Sequence, residues 1–293
     1  MPSRSPVNSH VARTKIAVVT GASSGIGASV ARRLSDDGFE LILHGNRNLI
    51  GLQQIAGTLR EQTRVIGCVV ADLSRPLTAT RLADTCWNMA GARLAEDSLS
   101  DPSSVIDAWI HCAGADVLTG AAQKASFEEK LEWLLQVDVR GTILACRSIA
   151  TKMSDQSRTT RCTASATEDA LVPAIITVGW DQAVNGFEGN SGQYFCPTKA
   201  AIMAFTLSLA KTCGRNVRVN CVAPGWVQTQ WGQSAPDFWE RRATHESIMG
   251  RWGKPRDVAN AVAFLVSEQA NFINGQILNV NGGWKPAWPE TSL

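Results

Sequence analysis

The 293-residue chain has a single tyrosine, four histidines and almost no excess of either charge, with 28 basic against 26 acidic side chains and a formal net charge of +2. That balance, with no run of five or more like charges, leaves no electrostatic footprint for nucleic acid or an anionic membrane. The longest nearly apolar stretch, Ala200 to Ala210, is broken by Thr206 and Ser208. It falls far below the ~20 residues that span a bilayer. A soluble, cytoplasmic protein with a small-molecule partner is expected. The eight cysteines are scattered without a C-x-x-C pair, and no histidines stand at ligand spacing. They read as reduced thiols, not as a disulfide framework or a metal site. Residues 1–13 are polar, carry Pro2 and Pro6 and lack an apolar h-region. They read as a flexible tail and not a secretion signal.

What is present is a 44% hydrophobic chain with an alternating rhythm from Lys15 onward. Short β-branched runs alternate with helical periodicity, the pattern of parallel strands joined by crossover helices. The expected strands are Ile16 to Thr20, Glu40 to His44, Val65 to Ala71, Val105 to His111, Ala174 to Gly179, Val217 to Val222 and Gln276 to Val280. Seven strands in one sheet imply a single α/β domain over 14–293, a doubly wound Rossmann-type sheet with helices on both faces. Ile26, Val30 and Leu34 form one apolar helix face, and Gly38 stands where that helix should stop. Lys254-Pro255-Arg256-Asp257 opens another helix, with Val258, Val262 and Leu265 as its stripe. The segments Arg93 to Ser104 and Ser154 to Leu171 break the rhythm and read as surface loops.

The first strand runs straight into Thr20-Gly21-Ala22-Ser23-Ser24-Gly25-Ile26-Gly27 and a helix. Glycines at 21, 25 and 27 let the backbone turn sharply and bring a helix N-terminus, with its unpaired N–H groups, close to a pyrophosphate. The strand-turn-helix setting makes this a dinucleotide site and not merely a tight turn. Further motifs follow in order: Ala71-Asp72-Leu73, His111-Cys112-Ala113-Gly114, Asn220 to Thr229 and Asn281-Gly282-Gly283. From about Lys15 to Gly283 the chain resembles the short-chain dehydrogenase/reductase family, particularly its 3-oxoacyl-carrier-protein-reductase-like members. The resemblance implies an NAD(P)-dependent oxidoreductase that transfers hydride between a nicotinamide and a carbonyl or secondary alcohol. It implies a cofactor held by Gly21, Ser23, Ser24, Gly25, Ile26, Gly27, Asp72, Leu73, Cys112, Ala113, Gly114, Lys199, Pro224 and Gly225. It further implies that the Val227 backbone and the Thr229 hydroxyl meet the carboxamide and phosphates. A homo-oligomer, tetramer or dimer, is implied in the same way.

The end of the second strand reads His44-Gly45-Asn46-Arg47. An enzyme of this type using NAD would carry an acidic residue there for the ribose 2′-hydroxyl. Gly45 takes that place and Arg47 follows, so NADP is favoured over NAD.

By the same resemblance, a tyrosine transfers the proton, a lysine four residues later lowers its pKa, a serine orients the substrate and an asparagine holds a relay water. A phenol near pKa 10 needs such a cation to serve at neutral pH. Lys199 in Thr198-Lys199-Ala200-Ala201 matches the lysine. Phe195 stands four residues before it, and Tyr194 five. Positions five apart on an α-helix diverge by about 140°, so Tyr194 faces Lys199 only if the helix start, restricted by Pro197, widens locally. Trp180, followed by Asp181, falls in the serine position, and Asp138 in Asp138-Val139-Arg140-Gly141 replaces the asparagine. Three readings stay open. In one, Tyr194 works as a reductase's acid with Asp138, Asp181 or Ser191 in support. In another, an acid such as Asp181 does the proton work. In the third, the chain binds a dinucleotide without catalysis, as a sensor or structural subunit. Trp180, Trp226, Trp231, Trp239 and Trp252 line either an aromatic pocket or ordinary packing. Cys196 reads as a packed thiol, His111 as a hydrogen-bonding substitute beside the cofactor, and His245 as a surface residue.

Overall fold

The computed structural model describes residues 14–97, 105–163, 171–233 and 235–285. The expected tail, 1–13, lies outside them. Along the chain run β1 (Lys15–Thr20), α1 (Gly25–Asp36), β2 (Phe39–Gly45), α2 (Leu49–Leu59), β3 (Val65–Val70), α3 (Thr78–Glu96) and β4 (Ala108–His111). Then come α4 (Phe127–Leu134), a π-helical turn (Leu135–Gly141), α5 (Thr142–Thr163), β5 (Ala174–Val178) and α6 (Gly189–Cys213). β6 (Arg218–Pro224), α7 (Gln230–Gln233), α8 (Asp237–Glu246), α9 (Pro255–Val266) and β7 (Ile277–Val280) follow, with short 3-10 turns at Gly120–Lys124 and Glu268–Ala270. All seven strands are parallel in one sheet, ordered β3-β2-β1-β4-β5-β6-β7. The Rossmann-type doubly wound sheet expected from the rhythm is what forms. Its order reverses between β1 and β4, which opens a crevice at the C-terminal ends of those strands.

Strand alternation divides the core in two. Ala17 and Val19 face α1, α2 and α9, whereas Ile16 and Val18 face α3, α5 and α6, and all four are fully buried. Covering both faces is why these strands read as continuous apolar runs. Val30 and Leu34 of α1 meet Val258 and Val262 of α9 in the first layer. Trp109 and Ile149 lie in the second. α1 ends where expected, with Gly38 at φ +79 just past its C-cap. α9 opens on Pro255, and the Asp257 carboxylate accepts the Lys254 N–H at 2.8 Å.

β4 begins at Ala108, three residues later than its apolar run suggests. The Asp107 carboxylate takes the Ile16 N–H at 2.8 Å, so a side chain supplies the bond at that point. The expected loop from Arg93 is helix as far as Glu96, because α3 carries Arg93 inward to fork onto both Glu40 oxygens at 2.7 Å. The expected loop from Ser154 is likewise helix, since α5 continues to Thr163. Ser154 and Ser157 are buried on its inner face while Asp155 and Arg158 point to solvent. Small hydroxyls on the buried face hid an amphipathic helix. The remainders of both segments, 98–104 and 164–170, lie outside the described residues.

Candidate active site

The loop after β1 is shaped by contacts that only glycine permits. Gly21 and Gly25 have φ of +65 and +55, in the left-handed region. A Cβ on Gly21 would sit 2.8 Å from the Cys112 carbonyl oxygen, and one on Gly27 would sit 2.2 Å from the Gly21 oxygen. Ser24 is the N-cap of α1 but its side chain makes no capping bond, so the first-turn amides are left for another acceptor. Thr229 closes the far side, its methyl 3.6 Å from where a Gly25 Cβ would be. Thr20 Oγ1 accepts the Ala113 N–H at 3.0 Å, which ties Cys112-Ala113-Gly114 to the loop. The cradle a Cβ would fill, together with uncapped amides, fits a dinucleotide pyrophosphate.

A cleft of about 530 Å³ borders this loop, with Ser24, Gly25 and Thr229 on one side and Arg32, Lys254 and Arg256 at its rim. No carboxylate lines it among the described residues. Sequence reasoning missed these three cations, which come from α1 and the start of α9 and meet only in the fold. It also missed His44, whose Nδ1 accepts the Gly21 N–H at 3.4 Å and whose Nε2 lies 3.0 Å from the Ala71 oxygen. Burial lowers the His44 pKa, against the Ala71 carbonyl. The signal available was its alternation with Ile42, which aims it at the second core layer.

Past the end of β3, burial works against the Asp72 carboxylate, yet two bonds from Ser74 and the charges of Arg75 and Arg47 hold its pKa below the usual value. Leu73 is buried beside it, and Arg47 is exposed. Gly45 is buried, and a Cβ there would lie 3.2 Å from Leu52 Cδ2. An acidic side chain at 45 would have to displace Leu52.

Lys199 and Asp138 meet. Lys199 Nζ lies 2.9 Å from Asp138 Oδ2, with the Asp138 side chain 3% and the Lys199 side chain 18% exposed. Asp138 Oδ1 accepts the Ala115 N–H at 2.7 Å, and a Cβ on Gly114 would lie 3.1 Å from Oδ2. Asp138 stands in the π-helical turn between α4 and α5. The widening thus falls there, and not in α6, which is α-helical from Gly189 to Cys213. Tyr194 is therefore in the second turn of an α-helix that runs on through Pro197, not at a widened start. Its ring packs 5.8 Å from Phe127, in a cluster with Val117 and Leu134. Burial raises its pKa, against a bond to Ser191. Phe195 is the residue that shares the Lys199 side of α6, four positions away. Its ring is 6.3 Å from Trp180.

Asp181 follows Trp180 at the ends of β5, β6 and β7. Its Oδ2 accepts from Asn281 Nδ2 at 2.9 Å and would lie 3.1 Å from a Gly225 Cβ, while Oδ1 is buried without a well-formed hydrogen bond. Burial pushes its carboxyl up to about 6, with the Glu246 charge adding and the Asn281 bond and nearby amides opposing. Around it Trp226 packs 5.5 Å from Trp239 and 5.9 Å from Trp252, and Trp180 lies 5.4 Å from Phe187. Trp226 Nε1 donates to Glu246 Oε2 at 2.7 Å. Arg242 of α8 stacks 4.5 Å from the Phe187 ring centre and pairs with Glu188 and Glu246. The Trp231 side chain lies outside the described residues.

His111 departs from its expected role, since neither ring nitrogen has a hydrogen-bond partner. Burial first, then the charges of His44 and Lys199, push its pKa down to about 3. It stacks on Trp109 with ring centres 6.5 Å apart. Cys196 is a half-buried free thiol whose pKa burial raises, and burial pushes Cys112 up to about 12. His245 is exposed. No described helix is long and apolar enough to cross a membrane.

A parallel sheet with a glycine cradle at its switch point and a lysine beside it defines a dinucleotide-binding protein of the Rossmann type. Residues 21–285 match the family described as enoyl-(acyl carrier protein) reductase. The chain is 29% identical to the 3-oxoacyl-[acyl-carrier-protein] reductase of Aquifex aeolicus (strain VF5), covering 92% of this chain and 96% of the relative. It is 30% identical to cyclohexanol dehydrogenase of Rhodococcus sp. (strain TK6), again over 92% and 96%. Among solved structures, an NADP-bound 3-oxoacyl (acyl-carrier-protein) reductase from Agrobacterium tumefaciens C58 superimposes with a TM-score of 0.71 at 24% identity, over 93% of this chain and 95% of that one. The chain belongs to the short-chain dehydrogenase/reductase family, whose activity is nicotinamide-dependent oxidation and reduction.

Proposed function

We propose that this chain is an NADP-preferring oxidoreductase acting on a carbonyl or secondary alcohol, with Asp181 and not Tyr194 as its proton-handling group. When bound, the nicotinamide supplies the hydride chemistry. Gly21, Ser23, Ser24, Gly25, Ile26 and Gly27 would cradle the pyrophosphate. Asp72 and Leu73 would flank the adenine, and Cys112 to Gly114, Pro224, Gly225, Val227 and Thr229 the nicotinamide half. Lys199 would hold the ribose, and Asp138 fixes Lys199 in place. The observation that carries the reading is the Lys199–Asp138 pair, 2.9 Å apart under Gly114 at the strand ends that also present the glycine cradle. Gly45 packed on Leu52 and exposed Arg47 support NADP. NADP in the bound Agrobacterium relative accords with that preference. The reading extends to one domain from residue 14 onward, acting in the cytoplasm as a homo-oligomer.

The test is NADPH and NADH binding by fluorescence, followed by NADPH oxidation over ketones and β-ketoacyl thioesters. Expected are tighter NADPH binding and turnover that Lys199→Ala and Asp181→Asn both depress. The second reading, a dinucleotide sensor without catalysis, draws on the pairing of the Lys199 charge by Asp138 and the packing of Tyr194 away from it. Tight NADPH binding without turnover of any substrate selects that reading.

A further inference from the structure

The cleft beside the glycine cradle is longer than a pyrophosphate needs. Gly25, Ala28 and Arg32 line it from α1, and Gly51, Ile55 and Thr58 from α2, so it follows both helices for two turns, about 10 Å. A dinucleotide held at Ser24, Gly25 and Thr229 uses only one end, because its halves lead away toward Asp72 and toward Lys199. The remainder has the chemistry of an anion site. Among its lining, Ala28 and Ile55 are buried, and Ser29, Gln54 and Gln228 present neutral donors. Its cations come from two elements, Arg32 from α1 and Lys254 and Arg256 from the start of α9, where the helix dipole adds charge of the same sign. Arg32 and Arg256 are exposed and enter no ion pair among the described residues, whereas the adjacent Arg33 is held by Asp37. The nearest carboxylate in sequence to the α9 pair, Asp257, is turned to Arg251 at 2.7 Å and to the Lys254 N–H at 2.8 Å. No carboxylate lines the cleft among the described residues, so a chain of net charge +2 concentrates three cations here.

We propose that this cleft is a second anion site, which holds a small phosphate-bearing molecule along α1 while the cofactor occupies the cradle. The cofactor reading above is needed only for what fills the cradle. The Arg32 guanidinium, a planar fork two turns into α1, would take two phosphate oxygens, and the charges of Lys254 and Arg256 would hold the rest. The occupant carries two or more negative charges, since a single charge would leave most of the three cations unmatched. A cleft of about 530 Å³ admits a small molecule and not a folded partner.

The test is isothermal titration of the full chain with inorganic tripolyphosphate, with and without saturating NADPH. The NADPH-saturated protein should still take up one tripolyphosphate per chain. In Arg32→Gln/Arg256→Gln that binding should weaken at least about tenfold, the scale of a lost charge-assisted contact. Both residues are exposed, so the variant removes no buried packing, and circular dichroism should match wild type. Arg81→Gln/Arg147→Gln makes the same change of net charge at exposed positions of α3 and α5, across the sheet, and should leave the affinity within about twofold. Failure of tripolyphosphate to bind the NADPH-saturated protein overturns the inference and leaves the cofactor reading intact. An equal loss in the two double variants overturns it too, because the anion would then follow net charge and not the cleft. If NADPH itself does not bind, the cofactor reading fails, and the free protein decides the cleft alone: a tenfold loss confined to Arg32→Gln/Arg256→Gln supports it, and equal affinities overturn it.

Discussion

Replacing Asp138 by Asn probes the best-defined polar contact of the site. Asparagine keeps an oxygen to accept the Ala115 N–H, which is bonded at 2.7 Å, but sets an NH2 group against the Lys199 ammonium in place of an oxygen at 2.9 Å. Removing one partner of a buried ion pair costs about 3–5 kcal/mol, because the other charge stays desolvated. The Lys199 side chain is 18% exposed, so its ammonium regains some water. The expected cost falls to about 2–3 kcal/mol, which for a chain of this size is a Tm drop of about 3–5 °C. Scanning calorimetry of Asp138→Asn, Lys199→Met and the double variant gives the coupling directly. The two single costs should overlap by about 2 kcal/mol in the double variant. A Tm within about 1 °C of wild type for Asp138→Asn, or strictly additive costs, would refute the pair's role in holding Lys199.

Asp181 titrates at about 6, above the ordinary 3.8, so folding favours its neutral form. Its stabilisation is full below the unfolded value and is lost as pH rises through the folded one, a change of about 3 kcal/mol. The Tm difference between wild type and Asp181→Asn should therefore widen against wild type from pH 4 to about pH 7, and a constant difference contradicts it. Gly45→Asp should weaken NADPH binding at least about tenfold relative to NADH, by repelling a 2′-phosphate, as isothermal titration would show. Unchanged selectivity removes the argument from Gly45. Gly27→Ala places a Cβ 2.2 Å from the Gly21 oxygen. It should cost about 1–3 kcal/mol in thermal melts and abolish cofactor binding, whereas native affinity contradicts the close-contact reading.

The sheet was legible because parallel strands buried on both faces leave uninterrupted apolar runs, and Gly21, Gly25 and Gly27 mark a turn that permits no side chain. Val30, Leu34, Val258 and Val262 announced α1 and α9 through their spacing. What escaped were features decided by tertiary partners. Arg93 and Ser154 are polar letters on buried helix faces, made tolerable by Glu40 and by a bond to Cys213. Arg32 is far in sequence from Lys254 and Arg256, and the three share a cleft only after α1 and α9 pack. Lys199 and Asp138 were both legible as candidates, but their pairing was not, because it depends on the π-helical turn that carries Asp138. The angle between Tyr194 and Lys199 followed from helical geometry. That α6 stays α-helical through Pro197, which keeps Tyr194 and Lys199 apart, required the fold.

The central claim is that proton handling has left the phenol, and Tyr194→Phe tests it most directly. The ring packs in the Phe127, Val117 and Leu134 cluster and keeps its place without the hydroxyl. With any substrate that wild type turns over with NADPH, the variant should retain kcat within about twofold, where loss of a general acid typically costs about 10²–10⁴. A fall of two orders of magnitude at unchanged NADPH affinity would contradict the account and return the proton to Tyr194.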